Sequence, residues 1–173
     1  MIRSGLPEFH LSGSYEEIGA QHGHYLVSKI ENTLEFYGSL FGLRQQTLFD
    51  IAKCYRQEIK RFSTDYSREI EALADSAGID PLWIYALNAR SEIINNRALE
   101  CTAAYFPEAA VLGQNWDWSP VMEQLVCTLA IQAPGKPLIK MVTEPGIIGK
   151  MGMNSEGLGV CLNILASAKL RPG

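Results

Sequence analysis

Glu100-Cys101-Thr102-Ala103-Ala104-Tyr105-Phe106 divides the chain in two. On its N-terminal side, apolar residues recur at the three- and four-residue steps of helices. On its C-terminal side, short apolar runs alternate with turns rich in proline, glycine and asparagine. The chain therefore reads as α+β, with a helical segment over residues 1–100 and antiparallel strands over 101–173. Cys101 stands at the first position of the first expected strand.

Working back from that stretch, Asp80-Pro81 is a strong helix start. The aspartate caps, and the proline takes the first helical position, where a missing N–H costs nothing. Trp83, Ile84, Leu87 and Ile94 give this fourth helix an apolar side. A third helix fits Tyr66 to Ala77, with Ile70, Leu73 and Ala77 inward and Gly78 as its break. A second fits Thr47 to Phe62, with Leu48, Ile51, Tyr55, Ile59 and Phe62 on one face. The first opens at Ser14, whose spacing to Glu17 is that of a capping box. Ile18, His22, Leu26, Ile30, Leu34, Tyr37 and Phe41 line its face, and Gly42 is its stop. Gly19 and Gly23 inside this helix cost about 1 kcal/mol each relative to alanine. They predict close approach of another backbone. His22 lies in the apolar stripe and His24 does not, so the two do not share a face for a metal. They read as one core and one surface histidine.

Working forward, Cys101 to Phe106 reads as a strand, Pro107-Glu108 as a turn and Ala110 to Trp116 as a second strand. Further strands are expected at Gln124 to Gln132, Leu138 to Val142, Ile147 to Met153 and Leu158 to Leu165. The turns between them are Pro134-Gly135-Lys136-Pro137, Glu144-Pro145-Gly146 and Asn154-Ser155-Glu156-Gly157. This pattern predicts an antiparallel meander. Strand alternation puts Asn115 and Asp117 on one face and Gln114, Trp116 and Trp118 on the other. From spacing alone, Asp117 reads first as a cap on the turn that leaves the strand. Cys101 by itself reads first as a small buried residue, as do Cys54, Cys127 and Cys161.

A chain of 173 residues, 47% hydrophobic and 20% charged, suits one globular domain. The net charge of −4 gives no basic face for nucleic acid. The N-terminal residues lack the apolar core of a signal peptide, and no apolar run approaches the roughly 18 residues of a membrane span. The four scattered cysteines form no C-x-x-C pair, which argues against a zinc site or a disulfide scaffold. No metal and no cofactor is expected. Reduced thiols make a cytoplasmic protein the default.

An ordered series of segments resembles the acyl-coenzyme A:isopenicillin-N (6-aminopenicillanic acid) acyltransferase family of N-terminal-nucleophile hydrolases. It begins with Gly13-Ser14-Tyr15-Glu16-Glu17-Ile18-Gly19 and His22-Gly23, then Ala86-Leu87-Asn88-Ala89-Arg90-Ser91-Glu92. Cys101-Thr102 with Tyr105 resembles the nucleophile strand, and Gly113-Gln114-Asn115-Trp116-Asp117 is the most specific match. Thr143-Glu144-Pro145-Gly146-Ile147-Ile148-Gly149-Lys150, Gly152-Met153-Asn154-Ser155 and Leu170-Arg171-Pro172 follow in order. The resemblance implies an αββα sandwich, here incomplete at the C-terminus because family precursors are about twice as long. It also implies self-cleavage at Glu100-Cys101 into an α/β heterodimer. The chemistry implied is transfer or hydrolysis of an acyl group at a non-peptide amide or an acyl-CoA thioester.

By motif position Cys101 matches the nucleophile and Asp117 the aspartate beside it. Asn163 resembles the asparagine that related bile-salt hydrolases use near the substrate carbonyl, and Thr102 and Asn115 are the substrate-contacting neighbours. Glu100 stands where the best-known members have glycine, and the family's later asparagine and arginine have no counterpart. Once freed, the Cys101 α-amine has a pKa of about 7.7–8.0 and can take the thiol proton without a histidine. Two other readings stand beside this one. One is a non-catalytic domain that binds a partner through an unfinished sheet edge; the other is a cysteine hydrolase that never cleaves itself.

Overall fold

The computed structural model of the chain describes residues 5–94 and 100–163. The end of the sixth expected strand and the Leu170-Arg171-Pro172 segment lie outside them. The described residues form a mixed helix-and-sheet fold in which helices pack on a five-stranded sheet, with a separate two-stranded hairpin.

Helix α1 spans Tyr15–Phe41. Its capping box is complete: Glu17 N donates to Ser14 Oγ at 3.2 Å, and Ser14 N donates to Glu17 Oε2 at 2.7 Å. Gly42 ends it at φ 61°, a left-handed conformation that glycine enters without strain. Helix α2 spans Gln45–Phe62 and α3 spans Thr64–Ala77. The inward stripe expected for α2 fails at its end: Phe62 is 83% exposed, and Ala52 is the buried residue instead. The chain turns at Ser63 to cap α3, which carries the last turn of α2 away from the core.

Gly19 and Gly23 are where α3 crosses α1. A Cβ on Gly19 would meet the carbonyl oxygen of Glu69, and one on Gly23 that of Leu73. Backbone cannot yield as a side chain end can, so Gly23→Ala is expected to destabilise the fold by about 1–3 kcal/mol. Urea unfolding checks this. A more stable variant would mean that the roughly 1 kcal/mol gain in helix propensity prevails.

The expected fourth helix is broken. Asp80 Oδ1 accepts from Leu82 N and starts α4, Pro81–Asn88. Ala89 then leaves helical geometry, and α5 restarts at Arg90–Ile94. Asn88 is the cause. Its amide nitrogen donates both to the Ile84 carbonyl and to the Gly146 carbonyl, each at 2.9 Å, so its side chain serves another segment.

The strand half also differs from a simple meander. β1, Glu8–Ser12, is a strand that helical periodicity does not reveal. It pairs in parallel with β4, Cys127–Gln132, with Glu8 opposite Thr128 and Ser12 opposite Gln132. The partner lies over a hundred residues away, so no local turn announces it. β2, Glu100–Phe106, and β3, Val111–Asp117, form the separate antiparallel hairpin. Gln124 and Leu125 lie in a helical turn, α6 (Met122–Leu125), not in a strand. β4 continues antiparallel into β5 (Ile139–Thr143), β6 (Met151–Asn154) and β7 (Gly159–Val160), giving the order β1-β4-β5-β6-β7.

The main core lies between helices and sheet. Leu11, Leu129, Ile131 and Met141 of the sheet meet Ile18, Leu26, Ile30, Ile70, Leu73, Ile84 and Leu87 of the helices. Each such side chain contributes about 1.5–3 kcal/mol on burial. Met122, Leu125 and Val126 form a smaller cluster, against which Trp116, Trp118 and Phe36 pack. That cluster fixes the hairpin to α1. Among the described residues no helix is long and apolar enough to cross a membrane.

Candidate active site

The hairpin β2–β3 carries five of the residues singled out by sequence: Glu100, Cys101, Thr102, Asn115 and Asp117. Directly opposed residues on an antiparallel pair share a face. Cys101 is opposite Trp116 and Ala103 opposite Gln114, and all four are partly buried. Thr102 is opposite Asn115 and Glu100 opposite Asp117; Thr102, Asn115 and Asp117 are exposed.

The outer face holds a short relay. Thr102 N donates to Asn115 Oδ1 at 2.7 Å, and Asn115 Nδ2 donates to Asp117 Oδ2 at 2.9 Å. Asp117 thus orients Asn115, which in turn holds the backbone one residue past Cys101. Asn163 belongs to the other side. Its Oδ1 accepts from Gln114 Nε2 at 3.2 Å, and Gln114 also exchanges hydrogen bonds with Leu162 N and O. The structure therefore brings Thr102, Asn115 and Asp117 together on one face, and ties Asn163 through Gln114 to the face that bears Cys101.

The four cysteines differ sharply. Cys127 is wholly buried, and burial pushes its thiol up to about 11. Cys54 is exposed on α2, where a core position was expected, because the buried stripe of that helix runs through Leu48 and Ala52 instead. Cys161 and Cys101 are partly buried.

Beneath the Cys101 face lies a buried charge cluster that sequence reading does not assemble. Glu144 follows β5 and has no solvent exposure. Tyr37 OH of α1 donates to its Oε1 at 2.6 Å. Its Oε2 accepts from Arg90 of α5 at 3.2 Å and from Lys150 Nζ at 2.6 Å. Burial alone would raise the Glu144 pKa, but the Arg90 and Lys150 charges outweigh it and hold the carboxylate below its usual range. The Lys150 ammonium sits 3.2 Å from the centre of the Trp116 ring, a cation–π contact. Burial lowers Lys150 to about 8, against the opposing pull of Glu144. Burial also raises the Tyr37 phenol, so Tyr37 remains a donor.

The loop carrying Glu144 and Lys150 was expected to re-enter a strand at Ile147. It does not, because helix side chains hold its backbone. Gly146 N donates to His22 Nε2 at 3.0 Å, and Ile148 N donates to Asn88 Oδ1 at 3.0 Å. Gly146 adopts φ 93°, with Leu87 and Ile30 packed where a Cβ would stand. His22 is the core histidine that the apolar stripe implies and His24 is exposed. The buried His22 is also a latch: with Nε2 accepting, its proton is on Nδ1, which has no partner among the described residues.

Burial lowers His22 to about 4. Its folded pKa is below the unfolded value, so its stabilisation is fully present above about pH 6.5. Some 3 kcal/mol is lost as pH falls to about 4, at 1.36 kcal/mol per unit. Glu69, raised by burial to about 8, acts in the opposite sense: the stability it confers is lost as pH rises through 8. The test is therefore a difference. His22→Gln keeps an acceptor but does not titrate, and should lose about 3 kcal/mol less than the natural chain between pH 7 and pH 4. Equal losses in urea unfolding would exclude His22 as the latch.

A cleft of about 640 Å³ opens between α1, α3 and the strands β5 to β7. Ile131, Met141, Ile148 and Met151 give it apolar walls, and Glu69 and Lys150 are its buried ionisable groups. Cleft and hairpin thus meet at Lys150.

No family model matches the chain. It is 35% identical over 169 residues to the acyl-coenzyme A:6-aminopenicillanic-acid acyltransferase 40 kDa form of Emericella nidulans. The match covers 92% of this chain. This similarity supports a place in the penicillin acyltransferase-like family. It spans about half the length of that relative, 47%.

Within the family frame, two segments acquire physical meaning. The Asn88–Arg90 stretch supplies the loop anchor and one cation, and the Thr143–Lys150 stretch supplies the carboxylate and the other. By its composition the second reads as a turn and a strand. The available signal was a glutamate and a lysine framed by Met141-Val142-Thr143 and Ile147-Ile148, charges in an apolar run that need partners when buried.

Proposed function

We propose that this chain is the nucleophile-bearing part of a cysteine acyltransferase or amidohydrolase of the N-terminal-nucleophile type. The partly buried Cys101 thiol, on the hairpin face that meets the Lys150 ammonium, carries the reading. The relative is an acyl-coenzyme A:6-aminopenicillanic-acid acyltransferase, which supports the substrate class: an acyl-CoA thioester or a non-peptide amide. The four-layered αββα sandwich belongs to the same proposal, as do division at Glu100-Cys101 and assembly of the two pieces into a heterodimer.

In this reading the Cys101 sulfur attacks the Glu100 carbonyl and converts the amide to a thioester. Water then hydrolyses the thioester and leaves Cys101 with a free amine. In turnover that amine takes the thiol proton, and the thiolate attacks the acyl carbonyl. An acyl-enzyme forms, coenzyme A or the amine departs with the proton, and an incoming amine or water takes the acyl group. Asp117, across the hairpin from Glu100, acts from the outer face by holding Asn115 against Thr102 N. Asn163 is the side-chain donor for the developing oxyanion; losing one such donor costs about 10²–10³ in rate. The apolar walls of the cleft suit the acyl chain. Intact-mass analysis tests the proposal: a piece ending at Glu100 and a piece beginning at Cys101 support it, and a chain that turns over acyl-CoA uncut refutes it.

A further inference from the structure

The α-amine of Cys101 does not exist until its peptide bond has been cut, so the first cut needs a different proton acceptor. We propose that Lys150 is that acceptor, taking the Cys101 thiol proton as the sulfur attacks the Glu100 carbonyl. The inference rests on the self-cleavage reading above and names the group that starts it.

Three observations place Lys150 in this role. Its side chain is only 3% exposed, and its Nζ stands over Trp116, the residue directly opposite Cys101 on the same hairpin face. A thiolate at Cys101, directly across the hairpin from Trp116, would stabilise the Lys150 ammonium held over that ring. Finally, the cluster sets two cations, Arg90 and Lys150, against the single carboxylate of Glu144. Arg90 does not give up its proton in proteins. Tyr37, facing the cluster from α1, is a donor with its phenol pushed up by burial. Among the described residues of this cluster, Lys150 is the member able to be neutral near neutral pH. When it is, the cluster balances one cation against one anion. Burial, which brings Lys150 down to about 8, supports the same assignment.

The step balances. Neutral Lys150 takes the proton from Cys101 Sγ, and the thiolate forms a bond to the Glu100 carbonyl carbon. The tetrahedral intermediate collapses, the bond from that carbon to Cys101 N breaks, and Lys150 returns the proton to the departing nitrogen. Amide has become thioester with no net proton change. Water hydrolyses the thioester: its oxygen joins the Glu100 carbonyl carbon as the C–S bond breaks, one proton returns to the Cys101 sulfur, and the other goes to the new α-amine, leaving a carboxylate and an ammonium.

The test follows cutting in precursor chains made by cell-free translation and sampled over time by intact mass, from pH 6 to pH 9. In the natural chain the rate should rise with pH to a plateau above about 8. Lys150→Arg keeps a cation beside Glu144 but accepts no proton; it should cut about 10²-fold more slowly or worse, with the rise through pH 8 gone. Lys150→Met leaves Glu144 and Arg90 as a one-to-one pair. It should show the same loss and partial recovery on addition of ethylamine. Cutting by either variant within about threefold of the natural rate would overturn the assignment while leaving self-cleavage standing. A natural chain that never cuts would overturn the self-cleavage reading and this inference with it.

Discussion

Glu144→Gln should cost the fold about 3–5 kcal/mol, the usual penalty for breaking a buried ion pair from one side. The substitution is nearly isosteric, so cavity formation contributes little. The loss is electrical: Arg90 and Lys150 would remain buried, at 10% and 3% side-chain exposure, with no carboxylate between them. The amide can keep its oxygen toward Tyr37, but then its NH2 group faces the two cations. Two corollaries separate this from general damage. Adding Lys150→Met to Glu144→Gln should recover part of the loss, because it removes one stranded cation. The defect should also shrink as pH rises, since Lys150, already lowered to about 8, can shed its charge. In the natural chain the sign is reversed. Glu144 is depressed in the folded state, so its contribution is present above about pH 4.5 and fades as pH falls below it. Urea unfolding of the single and double variants at pH 7 and pH 9 measures all of this. A loss below about 1 kcal/mol would mean that the pair is solvated, as surface pairs are.

Cys101→Ala carries the largest expected effect on chemistry. It removes the sulfur while leaving the strand, since Cys101 is only partly buried and alanine suits its place opposite Trp116. Self-cleavage and thioester turnover should both fall to background, with the uncut chain accumulating and its stability within about 1 kcal/mol of the natural precursor. Cys54→Ala and Cys161→Ala should change neither. Intact mass of the precursor, followed by thiol release from an acyl-CoA, checks the set. Cleavage that survives in Cys101→Ala would assign the cut to a protease or another residue.

What was legible in the sequence is what is local. The Ser14–Glu17 capping box, the Asp80-Pro81 start, the αL stops at Gly42 and Gly78 and the close approach at Gly19 and Gly23 each have a mechanism contained in a few residues, and each is found in the structure. The two hairpin faces were legible too, because alternation fixes them. What was not legible depends on partners far along the chain. β1 exists because β4 offers it an edge; Arg90 and Glu144 meet across 54 residues, and His22 reaches Gly146 across 124. The loop from Glu144 to Lys150 has strand-like composition, but its hydrogen bonds go to helix side chains. No periodicity in the segment itself reveals that. Phe62 and Cys54 were misplaced for a related reason: the stripe of α2 is set by where α4 packs, not by its own spacing.

The most direct test is the amino-terminal sequence of every piece in a purified preparation that is turning over acyl-CoA. A second terminus reading Cys-Thr-Ala-Ala-Tyr is the predicted result. A fully active preparation with no terminus at Cys101 would contradict the proposal that one residue supplies both the nucleophile and its base.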